Sequence, residues 1–332
     1  MNILITGGAG FIGSHLAEYL LAAGHHVKTL DNLSTGRAAN LEHLKKYPKH
    51  TFVQGSVTDR SCVEPLMKWC DHCYHLGAPV GVKYIMQNPI LTIVENIRAI
   101  DLILELTDRF KKRTLVASTS EVYGKSLDLL DTSGKGKLKE GDYRLEGSTT
   151  NHRWAYANTK ALDEFLSFAY HKERGTEICI IRFFNTVGPR QVADYGMVIP
   201  NFIQRALVGE PILVHGTGEQ IRSFMHVKDV VQAVTELMLT GKGIGDVFNV
   251  GNPQEITINE LAKRVLKLTG SSSEIRHVPY GEAFSSGFED MYRRTPDISK
   301  LERTLDFKIK YQLDDILTEV IAEFRKTSTK SS

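Results

Sequence analysis

The chain has 332 residues, of which 42% are hydrophobic and 24% charged, and its formal net charge is +2. This composition is typical of a globular protein with one or two domains, and the small net charge gives no electrostatic argument for binding nucleic acid or membranes. No apolar run reaches the length of a membrane span, and Met1 leads directly into a predicted strand, without room for a signal peptide. Four cysteines are too few for a disulfide framework, so we expect a reducing, cytoplasmic setting.

The N-terminal segment is a predicted strand–helix–strand unit. An apolar strand, the glycine-rich turn Gly7–Gly13, a helix and a second strand follow one another between residues 2 and 31. Gly7 permits a tight turn, Gly10 lets the backbone approach a pyrophosphate, and Gly13 lets the helix pack closely on the strand. The helix N-terminus adds unpaired N–H groups and the positive end of a dipole. This spacing predicts a dinucleotide site.

Asp31 ends the second strand, where a carboxylate can accept hydrogen bonds from the adenosine ribose hydroxyls. Because a 2′-phosphate would meet the same negative charge, Asp31 favours NAD as the cofactor. Arg37 leaves NADP as an alternative, since a nearby arginine can accommodate the extra phosphate. The spacing Gly-x-x-Gly-x-x-Gly differs from that of the simplest dehydrogenases. Strand, turn, helix and acid together nevertheless predict nucleotide binding rather than a plain tight turn.

Strands and helices continue to alternate along the chain, which predicts an α/β fold with a doubly wound parallel sheet of the Rossmann type. The expected strands cover residues 51–53, 73–76, 113–117 and 177–182, and the expected helices cover 58–69, 89–110, 155–171, 198–208, 228–239 and 258–268. After Arg182 the pattern loosens, which indicates a smaller, interleaved substrate domain that closes a cleft. We expect the nucleotide-binding domain at 1–185 plus about 225–250, the substrate domain at about 186–224 and 251–325, and a disordered tail at 326–332.

Two further segments need interpretation. The polar loop from Lys125 to Asn151 is long for a compact domain, and such loops are often lids or disordered. Cys70 and Cys73 have the spacing of a zinc half-site or a redox pair, but no second pair of cysteines has such spacing. Cys73 also opens an apolar run typical of a buried strand. We therefore interpret these cysteines as core residues and expect no metal.

Tyr156 and Lys160 are four residues apart on one predicted helix, so they share a face. An ammonium beside a phenol favours the phenolate, which would lower the pKa of Tyr156 and let it act as a base near neutral pH. Hydroxyl groups and one carboxylate follow the fifth strand in the segment Ser118–Gly124. Ligands of such sheets bind beyond the carboxyl ends of the strands, so this segment is interpreted as part of an active site.

From Met1 to about Phe324 the chain resembles the nucleotide-sugar epimerases, dehydratases and decarboxylases of the extended short-chain dehydrogenase/reductase family. The shared motifs are Thr6–Gly13, Asp31–Leu33, Tyr156-x-x-x-Lys160, Arg182–Asn185, Gly188–Arg190, Arg222–Asp229 and Phe248–Gly251. The resemblance implies a tightly held NAD that is reduced and reoxidised within one catalytic cycle. It also implies a nucleotide-sugar substrate and a homodimer formed through helices at about 89–110 and 153–172.

The resemblance further implies roles for individual residues. Tyr156 would take the proton from the sugar 4-hydroxyl as hydride leaves C4, Lys160 would bind the nicotinamide ribose, and Thr119 would hydrogen-bond the 4-hydroxyl. Asn185 and Arg222 match positions that hold the nucleotide diphosphate. The residues expected at the cofactor are Gly7, Gly10, Phe11, Ile12, Gly13, Asp31, Asn32, Ser56, Val57, Leu76, Gly77, Ala78, Asn96, Tyr156 and Lys160. Those expected at the substrate are Lys83, Tyr84, Asn185, Arg190, Val214, Arg222 and Arg294.

Two positions depart from the family pattern. Leu76-Gly77-Ala78 replaces the usual Leu-Ala-Ala after the fourth strand. Gly55-Ser56 replaces the usual Gly-Asp after the third strand, which removes an expected contact to adenine. We expect these changes to weaken NAD binding at most.

The segment Thr119-Ser120-Glu121 bears on the reaction catalysed. The similar 4-epimerases usually have a small residue in place of Glu121, and the 4,6-dehydratases have Thr-Asp-Glu, whereas Thr-Ser-Glu is the pattern of UDP-glucuronate decarboxylases. Arg294 falls on the position of a catalytic arginine in those decarboxylases, and the segment Asn151–Tyr156 is also similar to that of the bacterial ones. The expected catalytic set is Thr119, Ser120, Glu121, Tyr156, Lys160 and Arg294.

This assignment is chemically coherent, because oxidation of a glucuronate at C4 gives a β-keto acid that loses carbon dioxide readily. We therefore predict decarboxylation of UDP-glucuronate to UDP-xylose or its 4-keto precursor. A UDP-sugar 4-epimerase, acting on UDP-glucose or UDP-glucuronate, and a dTDP-glucose 4,6-dehydratase are alternatives on the same scaffold. A protein that binds NAD and a nucleotide sugar without turnover is a third alternative, but it would need none of Thr119, Tyr156 and Lys160.

Overall fold

The computed structural model describes residues 1–78, 88–193, 197–283 and 289–328. In chain order, the strands are β1 (Asn2–Thr6), β2 (His26–Asp31), β3 (His50–Gln54), β4 (His72–His75), β5 (Arg113–Thr119), β6 (Ile178–Phe183), β7 (Thr186–Val187), β8 (Ile212–His215), β9 (Ile221–Arg222), β10 (Met225–His226), β11 (Asp246–Val250), β12 (Ile256–Thr257), β13 (Ile275–Val278) and β14 (Arg293–Arg294). The α-helices are α1 (Phe11–Ala22), α2 (Arg60–Trp69), α3 (Pro89–Phe110), α4 (Ser126–Leu130), α5 (Ala155–Arg174), α6 (Val198–Val208), α7 (Val227–Thr240), α8 (Ile258–Thr269), α9 (Tyr280–Ala283), α10 (Ser299–Leu305) and α11 (Leu313–Ser328). Short 3-10 helices occur at Ala38–Lys46, Ser120–Tyr123 and His152–Trp154.

The central sheet has the strand order β11-β6-β5-β4-β1-β2-β3, and every pairing in it is parallel. A parallel sheet needs cover on both faces, and β1, β5 and β6 accordingly contain unbroken apolar runs. Ile3 and Ile5 point to the face covered by α1 and α7, whereas Leu4 points to the face covered by α2 and α3. The predicted doubly wound α/β fold is thus confirmed.

The C-terminal part has a hydrophobic cluster of its own. Apolar side chains of α6, α8 and α11 pack there against β8. Short strand pairings surround this cluster: β12-β9-β14, β10-β7 and β13-β8. Two elements that come late in the sequence belong to the N-terminal part: β11 is an edge strand of the central sheet, and α7 packs on that sheet. The chain therefore crosses between the two parts several times, and a cleft opens between them.

The long polar loop is packed against the C-terminal part. Its first residues form α4, and Leu138 is buried with its N–H donating to the carbonyl of Thr295 at 2.9 Å. The side chain of Asn249 donates to the carbonyl of Leu138, also at 2.9 Å. This segment therefore contributes to the wall beside β14. Helix α11 continues to Ser328 and so includes three residues of the tail that was expected to be disordered.

Cys70 and Cys73 are fully buried in the cluster beneath α2 and α3, as interpreted from the sequence. Burial raises the pKa of the Cys70 thiol to about 12. Within the described ranges, no group of three or more His, Cys, Asp or Glu residues is arranged to hold a metal ion. None of the helices in these ranges combines the length and the apolar character that crossing a bilayer requires.

Candidate active site

The glycine-rich turn between β1 and α1 is shaped by close backbone contacts. Gly7 has φ +68°, and a Cβ there would lie 2.8 Å from the amide nitrogen of Gly77. A Cβ on Gly13 would lie 2.2 Å from the carbonyl oxygen of Gly7, whereas one on Gly10 would meet only that same oxygen at 3.1 Å. Gly7 and Gly13 therefore serve the turn and the helix packing, while Gly10 leaves its outer side open. No side chain caps α1, so the amide groups of its first turn face the cleft.

Asp31 is held by two backbone amides at the end of β2. Its Oδ2 accepts from the N–H of Ala9 at 2.9 Å, and its Oδ1 accepts from the N–H of Leu33 at 2.8 Å. Burial raises the pKa of Asp31, although both hydrogen bonds oppose that shift. Each carboxylate oxygen retains a lone pair, so Asp31 can still accept from a ribose hydroxyl. The turn, the open helix N-terminus and this fixed carboxylate fit the adenosine diphosphate part of NAD.

Most of the other residues expected at the cofactor line the same cleft, which has a volume of about 1390 Å³. They are Phe11, Ile12, Asn32, Ser56, Val57, Leu76, Gly77 and Ala78. Asn96 is an exception: its side chain is buried and donates to Oγ1 of Thr159 at 3.3 Å, which ties α3 to α5. The Ser56 hydroxyl hydrogen-bonds with the Thr58 hydroxyl at 2.8 Å.

The expected catalytic residues meet at the carboxyl end of β5. Thr119, Ser120 and Glu121 leave this strand in a 3-10 turn, and Oγ1 of Thr119 accepts from the N–H of Glu121 at 3.2 Å. Tyr156 and Lys160 come from the first turns of α5, and Arg294 from β14. All six residues line the cleft. We call this group, together with Arg153, the sugar end of the cleft.

Tyr156 does not have the lowered pKa that its spacing from Lys160 predicted. Burial raises the pKa of Tyr156, and the negative charges of Glu121 and Asp163 raise it further. The Lys160 ammonium donates instead to Oδ2 of Asp163 at 2.5 Å, and both side chains are buried. The i,i+4 spacing was therefore insufficient for predicting the pKa, because Asp163 competes for the same ammonium from three residues further along the helix.

Glu121 is held between two guanidinium groups. Nη1 of Arg294 donates to its Oε1, and Nη2 of Arg153 forms an ion pair with its Oε2. Burial alone would raise the pKa of Glu121, but the charges of Arg153 and Arg294 lower it to about 2. Nη2 of Arg294 also donates to Oδ1 of Asn185 at 2.8 Å. The Nε atoms of both arginines are buried and have no hydrogen-bond partner among the described residues.

Arg222 and Arg294 lie side by side on β9 and β14. Arg222 is paired with Asp290 at 2.7 Å, whereas Arg190 contacts Glu18 at 2.6 Å. Nη1 of Arg190 also donates to Nε2 of His43 at 3.0 Å, so both of these partners lie in the N-terminal part. Both Arg190 and Arg222 line the cleft.

Val214 was expected at the substrate, but its side chain does not line the cleft. Its side chain is fully buried in the C-terminal cluster, because side chains alternate along β8. Its neighbours Leu213 and His215 line the cleft instead. Lys83 and Tyr84 lie outside the described residues.

Two residues at this site were not identified from the sequence. Arg153 stands in a segment whose similarity to decarboxylases was noted, but no role was assigned to it. Asp163 gave no signal beyond its i,i+3 spacing from Lys160. A polar group around Tyr280 was also missed: Tyr280 donates to Oδ2 of Asp290 at 2.9 Å and accepts from the side chain of Gln220 at 3.2 Å.

Comparison with known proteins identifies the family. Residues 4–320 match the GDP-mannose 4,6 dehydratase family. The chain is 39% identical over 324 residues to UDP-N-acetyl-alpha-D-glucosaminuronate decarboxylase of Bacillus cytotoxicus, covering 97% of each protein. It is 38% identical over 325 residues to UDP-glucuronic acid decarboxylase 1 of Xenopus tropicalis, covering 98% of this chain and 72% of that protein.

A solved structure with a similar fold is a variant of UDP-glucuronic acid 4-epimerase from Bacillus cereus, in complex with UDP-4-deoxy-4-fluoro-glucuronic acid and NAD. That structure is 27% identical in sequence to this chain, with a TM-score of 0.86. The match covers 98% of this chain and 100% of that one. The family match and the identities to relatives both extend over nearly the whole chain. The protein therefore belongs to the GDP-mannose 4,6-dehydratase family of extended short-chain dehydrogenases/reductases.

Proposed function

We propose that this chain is an NAD-dependent decarboxylase of UDP-glucuronate, which releases UDP-xylose or its 4-keto precursor. The observation that carries the proposal is the carboxylate of Glu121 held between Arg153 and Arg294. Curated relatives at 35–39% identity are named as decarboxylases of UDP-linked uronates. The proposal also explains why Glu121 and Arg294, 173 residues apart, are brought together at the site.

The charge balance at the sugar end favours a substrate with a carboxylate. Among the described residues there, Arg153 and Arg294 carry two positive charges against one negative charge on Glu121. The neighbouring ions are paired with one another: Lys160 with Asp163, Arg222 with Asp290, and Lys125 with Glu289. One positive charge is therefore left over. A sugar carboxylate would balance it, whereas a neutral hexose would leave a buried charge without compensation, which is costly.

The proposed first steps use Thr119, Tyr156 and Arg294. Thr119 and Tyr156 hold the sugar 4-hydroxyl, and Tyr156 takes its proton as C4 is oxidised. Bound NAD would supply the acceptor for the C4 hydride and, after reduction, its source for the return. Arg294 presents its guanidinium to the C6 carboxylate, for which a planar fork is well suited. The carboxylate is thereby fixed beside the newly formed ketone.

Decarboxylation then breaks the C5–C6 bond, and its electron pair moves toward the 4-keto oxygen as carbon dioxide leaves. C5 afterwards takes a proton. Because the pKa of Glu121 is lowered to about 2, this side chain is ionised at neutral pH and cannot itself donate that proton. Glu121 therefore acts by orienting a water molecule as the donor and by holding the two arginines in place.

The cofactor-binding part of the proposal rests on the N-terminal turn. Gly10 would leave room for the pyrophosphate at the turn that Gly7 and Gly13 shape, and Asp31 would accept from the adenosine ribose. Lys160 would reach the nicotinamide ribose from α5. A cytoplasmic location, consistent with four free cysteines in the described residues, is also part of the proposal.

UDP-N-acetylglucosaminuronate is the second candidate substrate. It is favoured by the 39% identity to the Bacillus cytotoxicus enzyme, whose name specifies that compound as its substrate. Both candidates carry the same C6 carboxylate and differ only in the group at C2. The charge balance at the sugar end therefore applies to both, and a direct comparison of the two substrates is required.

The test is incubation of the purified protein with UDP-glucuronate, UDP-N-acetylglucosaminuronate, UDP-glucose and dTDP-glucose. We expect release of carbon dioxide from a uronate, measured directly, together with a matching loss of mass from the nucleotide sugar. Chromatography of the sugars must accompany the mass measurement, because epimerisation leaves the mass unchanged. Rapid 4-epimerisation of UDP-glucose with no carbon dioxide from either uronate would refute the proposal.

Arg294→Ala tests the role of the carboxylate. Hydrogen bonds to charged groups contribute about 1.5–3 kcal/mol, so we expect kcat/KM toward the uronate to fall by about 10- to 100-fold. Binding of UDP-glucose, which lacks a carboxylate, should change far less. Arg293→Ala is the matched control, because Arg293 is the preceding residue but pairs with Glu255 at 2.7 Å. Equal losses on both ligands in Arg294→Ala would argue against a carboxylate contact.

A further inference from the structure

The buried ion pair of Lys160 and Asp163 is not accounted for by the proposed reaction. Lys160 is 3% exposed and Asp163 is 1% exposed, and Nζ of the lysine lies 2.5 Å from Oδ2 of the aspartate. The other oxygen, Oδ1 of Asp163, is buried without a hydrogen-bond partner among the described residues. Most buried polar atoms are satisfied, so this one needs an explanation.

Asp163 lies one helical turn beyond the catalytic pair. Tyr156, Lys160 and Asp163 follow one another along α5 at spacings of four and three residues, so they share one helix face. A lysine ammonium that is free to act on a nearby phenol stabilises the phenolate. An ammonium bonded to a carboxylate carries no net charge as a pair, so its effect on Tyr156 is largely cancelled.

We propose that Asp163 is a positioning residue that acts through Lys160 and favours the protonated form of Tyr156. It fixes the ammonium on the inner side of α5 and offsets its charge. Before Tyr156 can take the proton of the sugar 4-hydroxyl, it must give its own proton to water, and the paired carboxylate opposes that ionisation. As far as turnover is concerned, the proposal rests on the function proposed above.

The other charged groups around Tyr156 and Lys160 do not act through the lysine. From the 3-10 turn after β5, Glu121 also opposes ionisation of Tyr156, but it is paired with two arginines. From β4, His75 faces Lys160, and burial lowers its pKa to about 3, so it is neutral. Glu164, the residue after Asp163, is bound by Arg182 at 2.7 Å. Of these three carboxylates, Asp163 is thus the one that pairs with Lys160.

The first experiment is the pH profile of kcat/KM for Asp163→Asn in the NAD-loaded enzyme. The amide keeps the shape and the acceptor oxygen but removes the charge. We expect the acid limb of the profile to move to lower pH by about one unit, corresponding to about tenfold more tyrosinate at a given pH below the pKa. Glu173→Gln is the matched control, because it removes one charge from an exposed position on the same helix. An unmoved or raised acid limb in Asp163→Asn would overturn the proposal.

A second measurement does not depend on turnover or on the folding of Asp163→Asn. The wild type and Lys160→Met/Asp163→Leu are compared by tyrosinate absorbance, each against its own Tyr156→Phe derivative. An apolar pair of similar volume commonly replaces a buried ion pair without loss of stability. We expect Tyr156 to ionise at nearly the same pH in both proteins, because the charges of the paired lysine and aspartate already cancel. Ionisation at clearly higher pH in the double variant would show that Lys160 stabilises the phenolate in spite of Asp163, and would refute the role of Asp163.

The two proposals fail separately. If the wild-type protein decarboxylates no uronate, the proposed function fails, but the absorbance titration still decides on Asp163. If the wild type decarboxylates and Tyr156 ionises at clearly higher pH in Lys160→Met/Asp163→Leu than in the wild type, only the inference about Asp163 fails.

Discussion

Tyr156 is the residue on which the proposed chemistry depends most directly. It lines the cleft beside Thr119, and its hydroxyl is the only group that Tyr156→Phe removes. We expect this substitution to lower kcat by about 10²–10⁴-fold, the usual range for loss of a general acid–base. Binding of the nucleotide sugar, measured by calorimetry, should change little. Near-normal turnover in Tyr156→Phe would contradict the mechanism.

Local residue roles were more predictable than long-range ones. The functions of Gly7 and Gly13 follow from the backbone of one turn, and the structure has the contacts that their spacing predicted. The pairing of Arg294 with Glu121 joins residues 173 positions apart, so it was expected only through the family resemblance. Arg153 and Asp163 were missed because their roles depend on which partner a flexible charged side chain selects after folding. Sequence spacing restricts that choice without determining it.

At the level of elements, α1 has a position where a single added methyl group should lower stability. A Cβ on Gly13 would lie 2.2 Å from the carbonyl oxygen of Gly7 and 2.9 Å from Cα of Gly8, and neither backbone atom can move without opening the turn. We expect Gly13→Ala to lower the thermal midpoint of unfolding by several degrees, since a strain of about 1–3 kcal/mol is typical of overpacking. Calorimetry would measure this shift.

Gly10→Ala is the control for that experiment. Its Cβ would meet only one atom, at 3.1 Å, so the fold should tolerate the change. The methyl group would instead occupy the side from which a pyrophosphate approaches. We expect near-normal stability without ligand and weaker NAD binding in a titration. If Gly10→Ala and Gly13→Ala had the same effect on stability, this division of roles would be wrong.

Most strands of the central sheet and most helices around it were predicted from hydrophobic periodicity. The helix predicted at 89–110 is Pro89–Phe110, and the one predicted at 155–171 extends to Arg174. Short strands such as β7, β9 and β14 were not predicted, because two-residue strands have no periodicity of their own. Val214 was misplaced because a family position says nothing about the face of the strand. The alternation of side chains along β8 determines that face.

For the molecule as a whole, the site depends on the contact between its two parts. Asn185, which follows β6 of the central sheet, accepts from Arg294 of the C-terminal part at 2.8 Å. Arg190 reaches back to Glu18 on α1 at 2.6 Å. Each pair links chain segments more than a hundred residues apart, as long connections do in an interleaved fold. Hydrophobic patterns predict each part separately, but they do not encode how the parts face one another.

The outer surface of the molecule carries exposed apolar side chains on the two helices that the family resemblance assigns to a homodimer. Helices α3 and α5 pack against each other and leave large apolar side chains exposed: Ile90 is 79% exposed and Phe165 is 66% exposed. Leu162 and Ile97, on the same helices, are 44% and 38% exposed. An extended apolar patch of this kind commonly marks an interface. Two copies that pair these helices would cover it with the same surface on both sides, as two-fold symmetry requires.

Phe165→Glu tests this assembly, because a carboxylate on this apolar surface would have to lose its water in a dimer. We expect the unaltered protein to have twice the chain mass of 37.2 kDa by light scattering, and Phe165→Glu to shift the equilibrium toward a single chain. Leu129→Glu is the matched control: Leu129 is 64% exposed but lies on α4, away from the patch, and the dimer should persist. A monomeric unaltered protein, or equal dissociation in both variants, would show that α3 and α5 do not form the interface.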